Sequence, residues 1–184
     1  MIPAIWKFKG ALMRLSCPLF FKRIGAGAQF TGRIRLPLPF RNVTIGRNAM
    51  IGHDVFFQTG KTSRITIGDD VSLNTGTHLV AGDAITIGNN VAVGEYVSIR
   101  DQDHRFIPAE GVRGQGFAVS PIVIEDNVWI GRGVHIGPGA HIRSGSIVAA
   151  NSVVKGDYPA NSLIAGAPAT QRRLIQPDGT LTRP

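Results

Sequence analysis

The sequence predicts an all-β fold, a parallel β-helix in which short strands wind around a three-sided prism. Large apolar side chains recur every six residues over most of the chain, a period that fits neither the 3.6-residue turn of an α-helix nor simple strand alternation. The 23 glycines and the aromatic content of 7% fit repeated tight corners with small side chains facing inward. A chain of 184 residues is long enough to bury one continuous core.

The six-residue register can be followed through fifteen positions, all of them large and apolar. They are Ile45, Ile51, Phe57, Ile67, Leu73, Leu79, Ile87, Val93, Ile99, Ile124, Ile130, Ile136, Ile142, Val148 and Val154. The residue four places later is Ala, Val, Ser or Thr in eleven cases, and Gly directly follows seven register positions. We therefore expect register residues to point into the prism, the fourth-following residues to fit inside a corner, and glycine to supply turns.

Three such hexapeptides make one coil of the prism, and successive coils stack at the usual inter-strand spacing of about 4.8 Å. The coil starts at Ile45, Ile67 and Ile87 are 22 and 20 residues apart, which predicts small insertions at the corners. The pattern gives about five coils. It divides the chain into an N-terminal segment, a β-helix domain at residues 42–170 and a C-terminal tail at residues 171–184.

An excursion interrupts the coils at residues 101–120, because Ile87 and Ile124 are 37 residues apart. A loop of this length in a compact domain is more often functional than not. His104 lies at its root, where a side chain can leave the prism wall and enter a cleft. A neutral imidazole can take a proton from a substrate near pH 7, so His104 is a candidate general base.

The N-terminal segment, residues 1–41, is strongly basic. It contains eight basic and no acidic residues, whereas the rest of the chain balances to zero, so the net charge of +8 is a local feature. A short helical cap over the open end of the core is predicted from apolar residues at helical spacing: Ile5, Phe8, Leu12 and Leu15. The alternative interpretation is peripheral membrane contact through residues 1–24.

The composition also limits the classes of function. No uncharged stretch reaches the roughly 18 residues needed to span a bilayer, and no nucleic-acid motif accompanies the basic segment. His135 and His141 are six residues apart and should fall on adjacent walls, and no carboxylate or thiolate cluster completes a metal site with them. The single cysteine, Cys17, fits a reducing compartment. We therefore expect a cytoplasmic protein, at the inner membrane face if residues 1–24 bind lipid.

The most specific motifs lie in residues 121–173. P-I-V-I-E-D-N-V-W-I-G begins at Pro121, G-S-I-V-A-A-N-S-V-V at Gly145 and A-G-A-P-A at Ala165. In this order, behind a loop containing histidine, the chain resembles the hexapeptide-repeat acyltransferases. The similarity is greatest to the branch of galactoside, maltose and xenobiotic acetyltransferases and surface-polysaccharide O-acetyltransferases. The resemblance implies a left-handed β-helix, a homotrimer and sites in clefts between neighbouring subunits.

The resemblance also implies roles for individual residues. His104 matches a catalytic base and Asn74 an active-site asparagine, although a corner position would also explain Asn74. Acetyl-CoA, as acyl donor, would contact Trp129, Arg132, Ala150, Lys155, Gly166, Ala167, Pro168 and Arg173. A carbohydrate acceptor would lie near Asp83, Asp101 and Asp103.

Some of these matches are imperfect or have a structural alternative. Lys155 stands one position before the usual lysine and Thr170 replaces a frequent arginine, so phosphate binding is expected to need Lys155 together with Arg172 and Arg173. Asp83 is offset by one position. Trp129, which the phase of the repeat places on the outer surface, could instead pack in a trimer. Asp101 and Asp103 could orient the imidazole or simply solvate the loop.

The function implied is that of an acetyl-CoA-dependent O-acetyltransferase acting on a sugar hydroxyl in surface polysaccharide or lipopolysaccharide biosynthesis. The sequence leaves two alternatives to this function open. One is an N-acetyltransferase acting on an amino sugar or an antibiotic, and the other is a β-helix that serves as a scaffold without catalysis.

Overall fold

Three parallel sheets form the walls of a prism in the computed structural model, which describes Ile5 and residues 21–36 and 41–183. Wall A contains β1 (Arg23–Ile24), β4 (Val43–Ile45), β7 (Arg64–Ile67), β10 (Ala84–Ile87), β15 (Ile122–Ile124), β18 (His141–Ile142) and β21 (Asp157–Tyr158). Wall B contains β2 (Gln29–Phe30), β5 (Met50–Ile51), β8 (Ser72–Leu73), β11 (Ala92–Val93), β16 (Trp129–Ile130), β19 (Ile147–Val148) and β22 (Ser162–Gly166), followed by antiparallel β23 (Ala169–Ile175) and β24 (Leu181–Thr182). Wall C contains β3 (Ile34–Arg35), β6 (Val55–Thr59), β9 (His78–Ala81), β12 (Ser98–Arg100), β17 (His135–Ile136) and β20 (Val153–Val154).

One strand from each wall makes a coil, and the coils are numbered one to seven along the chain. Coils one to six are complete, and coil seven consists of β21 and β22. Between coils four and five the chain leaves the prism as the excursion hairpin, formed by β13 (Gln102–His104) and β14 (Phe117–Val119). The predicted β-helix and its excursion are therefore confirmed, and His135 and His141 lie on walls C and A as expected.

The core is a stack of the register side chains. All fifteen are no more than 1% exposed, and each pairs in register with its equivalent in a neighbouring coil, as Ile67 does with Ile87. Four fourth-following positions do not fit the pattern of small inward side chains: Tyr158 is large but buried, and Lys61, Asp83 and Asp103 are exposed. These last three residues share one location. All three follow wall C, where the corner insertions and the excursion carry the chain out of the coil.

The corner between walls A and B depends on left-handed backbone conformations. Its stacked residues Asn48, Asp70, Asn90 and Asn127 have φ between 54° and 60°. Asn and Asp tolerate this region because their short polar side chains bond locally. Asn48 Nδ2 donates to Asp70 Oδ1 at 3.0 Å, and Asn90 Nδ2 donates to Asn127 Oδ1 at 2.8 Å. The corner is therefore a polar ladder that continues the register of the walls.

Coil one lies within the residues that the charge pattern placed in the N-terminal segment. Ile24, Phe30 and Leu36 are six residues apart and pack against the core, so they extend the register by one coil. Phe21 covers this end of the core, with its ring centroid 6.2 Å from Phe30 and 6.1 Å from Phe57. The basic character of the segment masks this apolar period in the sequence.

The other end of the core is closed by Tyr158 and the chain after it. The Tyr158 hydroxyl lies 3.1 Å from the Lys155 carbonyl oxygen and 3.0 Å from that of Ala169. Strand β23 then runs antiparallel to β22, so residues of the predicted tail form part of wall B.

The predicted N-terminal helix falls outside the described residues, except for Ile5, which is helical and 58% exposed. Cys17 is also outside them. Within the described part of the chain, no helix is long and apolar enough to cross a membrane.

Candidate functional site

The excursion hairpin presents His104 on an exposed strand. His104 is opposite Phe117 in the antiparallel pair, and the two ring centroids are 4.4 Å apart at 38°. This contact fixes one face of the imidazole against an aromatic ring. No hydrogen bond or ion pair to the rest of the described chain engages the ring nitrogens of His104. The imidazole is thus held by packing and retains both nitrogens for a ligand or a second chain.

The hairpin is fastened to the prism by Asp101, which is fully buried. Its Oδ1 accepts from the Gly82 amide at 2.6 Å and its Oδ2 from the Asp83 amide at 2.8 Å. Its backbone carbonyl also accepts from the Ser120 amide at 2.8 Å, which joins the two ends of the excursion. A carboxylate enclosed in this way has no open side toward an acceptor. We therefore assign Asp101 to positioning the hairpin and leave it out of the candidate site.

Asp103 differs from Asp101 because it is exposed. Its Oδ2 lies 2.8 Å from Lys155 Nζ, an ion pair that connects the hairpin to coil six. In this arrangement the Lys155 ammonium group is already paired with a carboxylate. Arg172 and Arg173 are the exposed cations near the turn at residues 166–168, which we call the C-terminal turn. Asp83 is exposed too, and it uses its backbone amide to hold Asp101.

Wall C carries two further histidines on its outer face. Burial is the main cause that lowers the pKa of His135, with Asp103 opposing it and Lys155 and Arg100 adding to it. The pKa of His78 is also lowered, first by burial and then by Arg100 and Arg35. Both imidazoles are therefore expected to be neutral at pH 7.

The corner between walls B and C, which we call the B/C corner, holds Asn74, Arg132 and Ala150. Asn74 is half-buried, and its side-chain amide has no hydrogen-bond partner in the described chain. Arg132 is exposed, with its guanidinium carbon 5.7 Å from the centre of the Tyr96 ring. The Ala150 amide N–H is also unbonded within residues 41–183, so it can donate to a ligand.

Four residues on the outer face of wall B form a row across successive strands, on the wall that leads into the B/C corner. Trp129 pairs in register with Ile147, Ile147 with Leu163, and Leu163 with Arg173. Trp129 is 57% exposed. Three strand spacings separate Trp129 from Arg173, which corresponds to about 14 Å. An apolar row that ends in a cation suits an extended ligand with an anionic end.

The C-terminal turn lies beside this row. Gly166 has φ of 110°, and a cis peptide bond joins Ala167 to Pro168. Ala167 and Pro168 are exposed, and Arg172 Nε donates to the Ala165 carbonyl at 3.3 Å. The turn therefore presents its backbone and Arg173 on the side of the prism that carries Trp129.

Within one chain the predicted site residues form two groups. Asn74, Arg132 and Ala150 lie at the B/C corner, whereas His104 lies beyond the opposite edge of wall C. Residues 97–101 of wall C lie between them, and five extended residues span about 16 Å. The single chain does not bring the histidine to the corner.

Two aromatic contacts in this region were not predicted. The Phe117–His104 contact depends on hairpin register, which the glycine-rich loop sequence does not specify. The Tyr96–Arg132 contact depends on stacking between coils four and five. Aligning the coils could have found it, because Glu95-Tyr96 and Arg132-Gly133 are equivalent positions in successive coils once the excursion between them is left out.

No group of three or more His, Cys, Asp or Glu side chains in the described residues is arranged to hold a metal ion. Depressions on the single chain include one lined by Arg143, Asp157, Pro159 and Ala160, which belongs to another side of the prism.

Comparison with known proteins agrees with this architecture. The sequence model for the bacterial transferase hexapeptide (six repeats) matches residues 121–156. The chain is 35% identical over 132 residues to galactoside O-acetyltransferase of Escherichia coli, covering 72% of this chain and 64% of that protein. It is 31% identical over 147 residues to Escherichia coli WbbJ, which is assigned as an O-acetyl transferase of lipopolysaccharide biosynthesis, covering 74% of this chain and 75% of WbbJ.

Among solved structures, the fold is similar to that of AntD of Bacillus cereus, an N-acyltransferase that was crystallised, as a point mutant, with dTDP-4-amino-4,6-dideoxyglucose and coenzyme A. The TM-score is 0.74 at 18% identity, covering 86% of each chain. The chain spans 61% and 64% of the length of two of the curated relatives it matches. The chain belongs to the hexapeptide-repeat acetyltransferase family.

Proposed function

We propose that this protein is an acetyl-CoA-dependent O-acetyltransferase that acts on a sugar hydroxyl. The observation that carries the proposal is a pair of groups that would complete one site, which we call half-sites. One is the His104 imidazole on the hairpin, whose ring nitrogens are unbonded, and the other is the B/C corner on the far side of wall C, with the unbonded Asn74 amide and the Arg132 guanidinium. Two relatives above 30% identity are named for O-acetyl transfer, one of them to galactosides and the other in lipopolysaccharide biosynthesis.

The two half-sites would meet if a second copy of the chain placed its B/C corner against the hairpin of the first. A contact between the hairpin of one copy and the corner of the next is head-to-tail. Such a contact closes into a ring when it repeats around a rotation axis, which we take to be threefold as in the family resemblance. We therefore propose a homotrimer in which each site takes His104 from one subunit and Asn74 from its neighbour.

The acyl donor would lie along the outer row of wall B and the B/C corner. The Ala150 and Arg132 amide N–H groups would donate to the pantetheine carbonyls, since the Arg132 carbonyl already accepts from the Asn151 amide, and Trp129 would offer apolar surface beside the arm. The phosphates and nucleotide would lie by the turn at residues 166–168, where Arg173 supplies charge. Lys155 would contribute only after releasing Asp103.

Transfer would be direct. The His104 imidazole takes the proton of a sugar hydroxyl while the hydroxyl oxygen attacks the thioester carbonyl carbon. The tetrahedral oxyanion collapses, the carbon–sulfur bond breaks, and the leaving thiolate takes the proton from the imidazolium. The products are an acetyl ester and CoA, and the imidazole returns to its neutral form. Asn74, whose side-chain amide has no partner in the described chain, would orient the reacting groups by hydrogen bonding.

An N-acetyltransferase is the second candidate. The same arrangement of a base and a thioester serves an amine nucleophile, and AntD combines this fold with an amino-sugar nucleotide. We favour the hydroxyl acceptor because two sequence relatives, at 35% and 31% identity, are named as O-acetyltransferases, whereas AntD is 18% identical.

The test compares His104→Ala with Arg105→Ala, a neighbouring exposed hairpin residue outside the proposed site. CoA release from acetyl-CoA is measured with a thiol reagent, using a galactoside and dTDP-4-amino-4,6-dideoxyglucose as acceptors. We expect His104→Ala to lower kcat by about 10²–10⁴-fold with acetyl-CoA affinity unchanged, since general-base catalysis contributes this much. Arg105→Ala should retain wild-type turnover.

Full turnover by His104→Ala, with the assembly intact by light scattering, would exclude His104 as the base. Faster transfer to the amine than to the galactoside would favour the second candidate. A wild-type protein that shows no acetyl-CoA binding by calorimetry would favour the non-catalytic scaffold.

A further inference from the structure

Tyr96 has a backbone conformation that is unusual for its residue type. Its φ is 57°, and the other non-glycine residues with positive φ in the described chain are all Asn or Asp. At the B/C corner its equivalents in the neighbouring coils are Gly76 and Gly133, as the amide bonds from Tyr96 to Thr75 and from Gly133 to Glu95 show. Bulky side chains rarely adopt this region, so the fold alone would favour Gly, Asn or Asp at position 96.

Core packing does not explain the tyrosine. Its side chain is 60% exposed and lies on the outside of the corner. The ring rests against Gly76, where an added Cβ would come 2.6 Å from Tyr96 Cδ1, and the Arg132 guanidinium lies 5.7 Å from its centre. The glycine in the neighbouring coil and the cation over one face of the ring hold it in one place, and Tyr96 remains 60% exposed. Residues kept in unfavourable conformations concentrate at ligand sites.

The position of Tyr96 along the corner indicates which ligand it would meet. Asn74 belongs to coil three, Tyr96 to coil four, Arg132 to coil five and Ala150 to coil six. In the proposed function the donor runs from the C-terminal turn toward coil five, so that its thioester end points at coil four. Tyr96 therefore lies beyond the thioester, on the side of Asn74, where the acceptor must enter.

We propose that Tyr96 is an acceptor-binding residue whose ring stacks against the apolar face of a sugar ring, an inference that rests on the proposed function. The axial C–H bonds of a pyranose present weak positive charge, and the face of an aromatic ring is negative, so the two surfaces attract each other. Tyrosine offers this flat surface at a small cost in side-chain entropy. The ring thus selects acceptors with an unhindered pyranose face.

The experiment uses Tyr96→Asn, because Asn occupies the equivalent position of the corner at Asn151 with φ of 58°. Tyr96→Gly serves as a second variant that accepts the same conformation, and Tyr96→Phe keeps the ring. The acceptor KM and kcat are measured with p-nitrophenyl β-D-galactopyranoside and dTDP-4-amino-4,6-dideoxyglucose, and the acetyl-CoA Kd by calorimetry.

We expect Tyr96→Asn and Tyr96→Gly to raise the acceptor KM about tenfold, a typical loss for one aromatic stacking contact, with the acetyl-CoA Kd within twofold of wild type. Tyr96→Phe should keep the wild-type KM within about threefold. Melting temperatures should stay equal or rise.

The inference is overturned if the acceptor KM of Tyr96→Asn and Tyr96→Gly stays within twofold of wild type while the wild-type enzyme is active. It is equally overturned if these variants weaken acetyl-CoA binding instead, which would place the ring in the donor groove. A wild-type protein that transfers acetyl groups to neither acceptor would contradict the proposed function, and the inference with it.

Discussion

The buried carboxylate of Asp101 gives the sharpest test of how the hairpin is attached. Asp101→Asn keeps the size of the side chain but replaces one of its two accepting oxygens with an NH₂ group. In the structure both oxygens accept backbone N–H bonds, from Gly82 at 2.6 Å and from Asp83 at 2.8 Å. One amide would therefore face another donor in a site without solvent.

The size of the effect follows from these two bonds. A hydrogen bond to a charged group contributes about 1.5–3 kcal/mol, and a buried donor left unsatisfied costs about 1–3 kcal/mol. The substitution weakens one bond and removes the other, so we expect a loss of about 2–4 kcal/mol. For a chain of this size that lowers the melting temperature by about 5–15 °C.

Asp103→Asn is the matched control, because it is two residues away, chemically identical and exposed. Its ion pair with Lys155 has both side chains more than half exposed, and such pairs contribute about 0–1 kcal/mol. Thermal and urea unfolding at equal protein concentration compare the two variants. Hydrogen exchange at the Gly82 and Asp83 amides locates the change, since both should exchange faster in Asp101→Asn only.

Equal melting temperatures for wild type and Asp101→Asn, with unchanged exchange at these two amides, would refute the attachment described above. A further readout connects the hairpin to function. If the hairpin loosens, His104 loses its place, so kcat should fall in Asp101→Asn while the acetyl-CoA Kd stays constant.

Two other substitutions test the stacking of coils and the outer face of wall A. Gly131→Ala should destabilise the fold and weaken acetyl-CoA binding, because the new Cβ would lie 2.7 Å from the Ala150 amide nitrogen. Thermal unfolding measures the first effect and calorimetry the second. Gly60→Ala is the control and should be tolerated, because its Cβ would lie 3.5 Å from the nearest atom. The pKa of Glu125 is lowered in the fold, chiefly because its carboxylate accepts a hydrogen bond from His141. The ionised carboxylate therefore stabilises the fold above its unfolded pKa of about 4.5, and this contribution is lost as the pH falls through the lower folded pKa. The melting temperatures of wild type and Glu125→Gln should therefore differ at pH 7 and converge in acid, whereas a constant difference across pH would contradict the assigned cause.

The core was predictable because its period is carried by residue type. A large apolar residue at every sixth position is buried on one side of the chain when each six residues make one wall of a three-sided coil, and all fifteen positions are buried. Coil one carries the same period in Ile24, Phe30 and Leu36, but Ile24 and Leu36 each directly follow an arginine in a segment without acidic residues. The charge obscures the periodicity of this coil, although in a solenoid the outward residues can carry any charge.

The site was less predictable because its properties depend on what surrounds each residue. Asp101 and Asp103 are alike in sequence, yet one is enclosed by two amides and the other faces solvent beside Lys155. The difference arises from the path of the chain as it leaves wall C, which no local pattern encodes. The backbone conformation of Tyr96 is set in the same way, by the corner into which its coil must fit.

The antiparallel strand β23 has a consequence for self-association. A parallel β-helix that stopped after a complete coil would present three rows of open backbone donors and acceptors, on which another molecule could continue the winding into a fibre. Here the chain reverses after Pro168 and pairs residues 169–174 with β22, and β24 beyond it is only two residues long. The reversal thus covers the last strand of wall B, one of the three edges on which another molecule could continue the coil.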